Sequence, residues 1–270
     1  MTKSKKQIDN QEALDALHRD VYDKSMAPYW AVDSSVDHDE DRQVMDKRKA
    51  IPFSWNYEHD IKPLLYRSAE LIKMENSERR SLVLVNPGLA PSRATVTTLY
   101  MAYRLNDPVE IMPPHRHSPN AIRLGLTGKQ NFTGVEGENI VFGPGDMVLT
   151  PHDTWHNHGN EGEEPAINLS VLDLPLAEVL NSLYFEHDYT EEDEGVIVAK
   201  KMQSQRFHAN YSEQIYSEGG YLPRFVSHAR GTGNSSPMYV YRWEQMLELL
   251  ERYMEWEGSP VSYTHLRAHE

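Results

Sequence analysis

The sequence predicts a mainly β protein, a sandwich or small barrel with helices before and after it. Three observations carry this. Short runs rich in aliphatic and β-branched residues recur at 82–85, 95–105, 121–126, 139–142, 147–150 and 166–172. Turn residues separate them: Asn86-Pro87-Gly88, Gly128, Gly134, Gly137 and Gly143-Pro144-Gly145-Asp146. Helical periodicity is confined to the flanks. So many short strands within roughly ninety residues fit a sandwich or barrel.

The elements follow in order. Ile8, Leu14, Leu17 and Val21 share one helical face, which predicts a helix over 7–25. The charged stretch 33–49 has little apolar pattern and reads as loop. From Asp60 a second amphipathic helix places Pro63 in its first turn and Leu64, Leu65, Ser68, Leu71 and Ile72 on one face. After the strands come a short helix over 176–183 and an acidic segment, 186–194, with six carboxylates in nine residues. Such a run is expected to be a solvated loop. A last helix, 242–256, gathers Met246, Leu247, Leu250 and Met254 on a face with no evident partner downstream.

Composition narrows the function. The 270 residues allow one large domain or two ordinary ones. A formal charge of −14 argues against nucleic acid or an anionic membrane as main partner, although one buried Arg can still take an anionic substrate. The absence of cysteine excludes disulfides, thiolate metal sites and cysteine nucleophiles. With no run of 18 apolar residues and no apolar leader, a soluble cytoplasmic chain is expected. Residues 261–270 read as a translated sequencing-library adapter, so His265 and His269 are set aside, and the native sequence is expected to continue beyond about Pro260.

Five histidines lie between positions 115 and 158. His115 and His117 form His-x-His at a strand end, where residues two apart point to one side and both rings can reach one metal. His156 and His158 form a second pair after the Gly143-Pro144-Gly145-Asp146 turn. One such pair is ordinary; two in one β unit point to an imidazole-rich site for Fe, Zn, Cu or Ni. Arg123 shares parity with His115 and His117, so on a regular strand its guanidinium joins them; on an irregular one it faces solvent. Beside a dication it needs an anion, and a substrate carboxylate suits bidentate pairing.

These residues resemble the cupin superfamily, whose barrel is a double-stranded β-helix or jelly roll. Its first motif is met by His115, His117 and Gly128, its second by Gly145, Pro151, His156 and Asn160. Val109 and Asp153 stand where the motifs have Gly, and Ala121 stands where they have a Glu ligand. The string Met112-Pro113-Pro114-His115-Arg116-His117, with Leu84-Val85-Asn86-Pro87-Gly88 and Trp155-His156-Asn157-His158, is similar to the gentisate 1,2-dioxygenase branch, which includes salicylate and 1-hydroxy-2-naphthoate dioxygenases.

That resemblance implies an Fe(II) site of His115, His117 and His156, three ligands that leave room for a chelating 2-hydroxyaromatic acid and O2. It implies that Arg123 binds the substrate carboxylate and that His158 handles the phenolic proton. Tyr100, Ala102, Arg104 and Ser170 become substrate-binding positions. Arg104 stands where relatives commonly have Gln and Ser170 where they have Asp, which leaves the preferred ring substituents open. The implied reaction opens the ring between its carboxyl- and hydroxyl-bearing carbons, and gentisate would give maleylpyruvate. The alternative is a metal cupin without redox chemistry, a small-molecule sensor or an isomerase. The implied organisation is a helical extension over 1–80, an iron-binding cupin over 81–185 and the linker and start of a second cupin over 186–260, in a homo-oligomer, a tetramer when full length. His152 has no family counterpart and is expected in a loop role.

Overall fold

The structure, a computed structural model, describes residues 10–31, 49–73, 80–135, 138–187, 189–191, 197–199 and 239–257. Helix α1 (Gln11–Asp23) starts where Asn10 accepts a hydrogen bond from the Ala13 amide, a side-chain N-cap. Helix α2 (Lys62–Leu71) carries Pro63 in its first turn and is preceded by one wider turn over Tyr57–Ile61. The two helices bury Leu14, Leu17, Val21, Leu64 and Leu65 in one cluster with Leu82, Leu84, Leu105 and Ile167 of the sheet beneath. Ile8, the segment 33–48 and the tail 261–270 lie outside the described residues.

Two antiparallel sheets make the jelly roll expected from the sequence. The strands are β1 (Met26–Pro28), β2 (Ser81–Leu84), β3 (Tyr100–Asn106), β4 (Ile111–His117), β5 (Ala121–Thr127), β6 (Asn131–Val135) and β7 (Glu138–Phe142). They continue with β8 (Met147–Thr150), β9 (His156–Asn160), β10 (Ala166–Leu172), β11 (Phe185–His187), β12 (Tyr189–Glu191), β13 (Ile197–Ala199) and β14 (Val240–Tyr241). One sheet has seven strands in the order β1-β2-β3-β10-β5-β8-β14; the other has five in the order β11-β4-β9-β6-β7. β12 and β13 pair with each other. Period-two alternation sets the layers. Leu82 and Leu84 pack outward against the helices, while Val83 joins Ala102, Tyr100 and Leu172 on the inner face.

Three expectations need correction. The strand read over 95–105 begins only at Tyr100, because Thr95 Oγ1 accepts from the Met101 amide and donates to Leu84 O, which turns the chain. The short helix is α3 (Leu174–Val179), begun earlier than 176 by Pro175 in its first turn. The acidic segment is not all loop: β11 pairs with β4, and Arg116 neutralises Glu186 at 2.7 Å.

The last helix is observed as α4 (Trp243–Glu257). β14 adds to the seven-stranded sheet beside β8. Asp146 fastens this junction: its carboxylate accepts from the Trp243 amide at 2.9 Å and from Arg242 Nη1 at 3.1 Å. Gly145 (φ +85°) makes room, since a Cβ there would sit 2.6 Å from Trp243 Cγ.

Candidate metal and substrate site

The site lies between the sheets, where β4 and β9 of one face β3, β5 and β10 of the other. The β4–β9 register shifts between Met112 and His115: Met112 opposes His158, and His115 opposes His156. The extra residue falls at Pro113-Pro114, whose missing amides suit a bulge better than a ladder. The shift turns both Met112 and His115 toward the cavity.

All four His-x-His imidazoles are buried together. Ring centroids lie 4.3 Å apart for His115 and His156, 4.7 Å for His117 and His156, and 5.0 Å for His156 and His158. Ring nitrogens of His115, His156 and His158 lie within 4.8 Å of one another, a spacing that could hold a metal ion. His117 stands beside them, its centroid 5.8 Å from that of His115.

Hydrogen bonds divide the four rings into three and one. His115 Nδ1 donates to Pro113 O at 3.1 Å, His117 Nδ1 to Pro119 O at 2.8 Å and His156 Nδ1 to Thr154 O at 2.8 Å. A carbonyl accepts only, so it fixes the Nδ1–H tautomer and leaves the Nε2 lone pair for a metal. His158 differs at both nitrogens. Its Nε2 is 2.8 Å from Arg123 Nη2, and its Nδ1 is 3.2 Å from Thr133 Oγ1. Burial first, then the Arg123 charge and the neighbouring His156, His115 and Arg104, hold the His158 imidazole well below the ordinary histidine range. It is therefore neutral, accepting from Arg123 at Nε2 and donating to Thr133 at Nδ1.

Arg123 faces inward as its parity predicts, 7% exposed, and also donates to Thr150 Oγ1. Tyr100, Ala102, Arg104 and Ser170 all line the same cavity. His152 is a loop residue: its Nδ1 donates to Ser118 O at 2.7 Å and its amide to Asn120 Oδ1 at 2.9 Å, outside the cluster.

Several contributors escape sequence reasoning. Tyr29 enters the cavity from the segment read as the helical extension, and Ser81 enters it as the first residue of β2. Phe185 stacks on His115 at 5.3 Å with 13° between the planes. The aromatic residue just before the acidic run was the available signal for it.

Known proteins resemble this chain in sequence and in fold. Residues 107–172 match the cupin domain. A gentisate 1,2-dioxygenase from Ralstonia sp is 41% identical over 138 residues, 51% of this chain and 39% of that protein. Another, from Streptomyces sp, is 29% identical over 97% of this chain and 68% of its own length. The crystal structure of salicylate 1,2-dioxygenase from Pseudoaminobacter salicylatoxidans with gentisate superposes with a TM-score of 0.65 at 26% identity, covering 96% of this chain and 67% of that one. The chain thus spans from about two fifths to about two thirds of the length of these relatives. It carries a cupin domain and resembles the gentisate 1,2-dioxygenase family. Among the described residues no helix is long and apolar enough to cross a membrane.

Proposed function

We propose that this chain, whose cupin domain is similar to those of gentisate and salicylate 1,2-dioxygenases, is the metal-binding part of a ring-cleaving dioxygenase for a 2-hydroxyaromatic acid. The observation that carries the reading is the division of the histidines, three tethered through Nδ1 to carbonyls and the fourth tied to a buried arginine. The donor set fits a divalent metal: neutral imidazoles whose carbonyl-bound Nδ1 leaves Nε2 for coordination. His115, His117 and His156 would hold it. Iron(II), bound there, supplies the redox chemistry that joins O2 to the aromatic ring.

The remaining work belongs to the chain. Arg123 binds the substrate carboxylate through its planar guanidinium, which orients the ring in the cavity. As Arg123 turns to the carboxylate, His158 Nε2 is released to accept the phenolic proton. Thr133 keeps the His158 tautomer that makes Nε2 the acceptor. Leu172, Leu174, Leu183 and Phe185 supply an apolar wall that limits water around the reacting ring.

The test is oxygen uptake by the full chain, loaded anaerobically with Fe(II) and given gentisate or salicylate. Uptake matched by loss of the aromatic absorbance, and absent from His115→Ala, is expected. Tight binding of either acid to an iron-loaded chain that consumes no O2 would overturn the reading in favour of a non-redox binding module.

A further inference from the structure

The strand that carries His115 and His117 has an outer face as well as an inner one. Both imidazoles line the cavity, and Arg116 between them lies on the outer face with its side chain 32% exposed. Its Nε donates to Glu186 Oε2 of β11 at 2.7 Å, and its Nη2 lies at the same distance from that oxygen. Its Nη1 is 3.3 Å from Asp153 Oδ1, and the guanidinium carbon stands 5.1 Å from the centre of the Trp155 ring. Asp153 and Trp155 belong to the loop that leads into His156, and the Asp153 amide donates to His117 O at 3.0 Å. The Tyr184 hydroxyl donates to the same Asp153 oxygen. One side chain thus joins, from outside, the strand of His115 and His117, the loop before His156, and β11.

What Arg116 holds is a strand that needs holding. β11 has three residues and stands at the edge of the five-stranded sheet, beside β4. So short an edge strand opens easily if its ladder alone retains it. The register sets Glu186 opposite Arg116 and Phe185 opposite His117. Phe185 lines the cavity, its ring 5.3 Å from that of His115 with 13° between the planes, and 5.4 Å from that of His117. The His115 ring is therefore set at its Nδ1 by Pro113 O and at its face by Phe185. A metal depends on that orientation, because the Nε2 lone pair lies in the ring plane.

We propose that Arg116 is a positioning residue of the metal site: by clasping Glu186 and Asp153 it holds β11 against β4, so that Phe185 stays stacked on His115 and the imidazole keeps the orientation a metal requires. This rests on the ligand set given under Proposed function, of which His115 is a member. A partly exposed ion pair contributes little to global stability. The hydrophobic clusters of the fold, among the described residues, include no residue of β11. Loss of the clasp therefore falls on the site and leaves the fold in place.

The experiment titrates the full chain anaerobically with Co(II), followed by visible absorption, which reads the geometry of the ion as well as its affinity. Arg116→Gln should bind Co(II) about tenfold or more weakly than the wild type, the scale of losing a group that orients a ligand. Its Co(II) spectrum should change while Tm stays within about 2 °C of the wild type. Glu186→Gln cuts the same contact from β11 and should give the same loss, and Arg116→Lys should restore part of it. Phe185→Leu should weaken Co(II) binding by itself, and adding Arg116→Gln to it should bring little further loss, because Arg116 acts through that ring. Wild-type affinity and spectrum in Arg116→Gln overturn the proposal, and so do losses in Arg116→Gln and Phe185→Leu that add in full. A lowered Tm with Co(II) binding unchanged overturns it too and makes Arg116 a structural residue only. Should Arg116→Gln fail to fold, Glu186→Gln and Phe185→Leu still decide. Unaltered Co(II) binding in these variants, beside oxygen uptake by the iron-loaded wild type, would sink this inference and leave ring cleavage standing. Arg116-dependent Co(II) binding without oxygen uptake would do the reverse.

Discussion

Arg123 Nη2 and His158 Nε2 meet at 2.8 Å, a permanent cation hydrogen-bonded to an imidazole that its own field helps to keep neutral. The contact joins the carboxylate anchor to the proton acceptor, so that substrate binding and release of His158 become one event. Neither residue can be changed without altering the other's surroundings.

Arg123→Met should therefore lose carboxylate selectivity and keep its metal. Wild type should turn over catechol or hydroquinone poorly beside gentisate, because a substrate without the carboxylate forgoes its charge-assisted pair with Arg123, worth about 2–5 kcal/mol. That corresponds to roughly thirtyfold or more in kcat/KM. Steady-state kinetics on the three compounds check this. Equal turnover of catechol and gentisate by the wild type, or a selectivity that Arg123→Met leaves intact, would reject the anchor.

Metal content separates the four histidines. His115→Ala, His117→Ala and His156→Ala are each expected to lose stoichiometric iron, measured by elemental analysis after anaerobic loading and desalting. His158→Ala should retain it and lose kcat instead. Iron retained by His117→Ala and lost from His158→Ala would move the ligand set to the group His115, His156 and His158.

The two positions where the cupin motifs have Gly keep the backbone that glycine favours. Val109 and Asp153 both have φ of +62°. For a β-branched residue that geometry is strained, and Val109, 75% exposed, has little packing to offset it. Val109→Gly is expected to stabilise the protein by about 1 kcal/mol, a rise in Tm of about 2–4 °C by differential scanning fluorimetry. Asp153→Gly should bring no such gain. An aspartate tolerates this conformation better, and it accepts from the Tyr184 hydroxyl and lies 3.3 Å from Arg116.

Much of this fold was legible because apolar alternation and glycine turns mark the strands that face the helices. β8 and β10 coincide with the runs read from the sequence, and β5 differs by one residue. β6 and β9 were not legible. Beside Phe132 and Val135 they bury Asn131, Thr133, His156, His158 and Asn160, polar side chains that break the apolar alternation and mimic loop composition. The site divides similarly. The paired histidines and Arg123 follow from spacing, whereas Met112, Thr150 and Phe185 enter through a bulge, a cross-strand register and an edge strand that only the assembled sheets define.

Asp146 is the joint between the cupin and its last helix. Asp146→Ala removes the acceptor for Trp243, Arg242 and the Gly143 amide together. The expected cost is about 1–3 kcal/mol, with cleavage within 239–257 under limited proteolysis and gentisate binding unchanged. Protection of that segment equal to wild type would show that β14 pairing alone holds it.

The alternation along β3 and β10 has a consequence for how this protein can change over generations. Tyr100, Ala102, Arg104, Ser170 and Leu172 line the cavity, whereas Met101, Tyr103, Leu105 and Ile167, interleaved with them, pack against the helices. A strand of this kind separates chemistry from architecture residue by residue, so mutations drifting through the inward set sample new ring substituents without eroding the helix-covered core. Descendants of such a chain can diverge in diet while remaining alike in shape. Randomising the inward five should accordingly leave many folded members, and randomising the outward four should leave few.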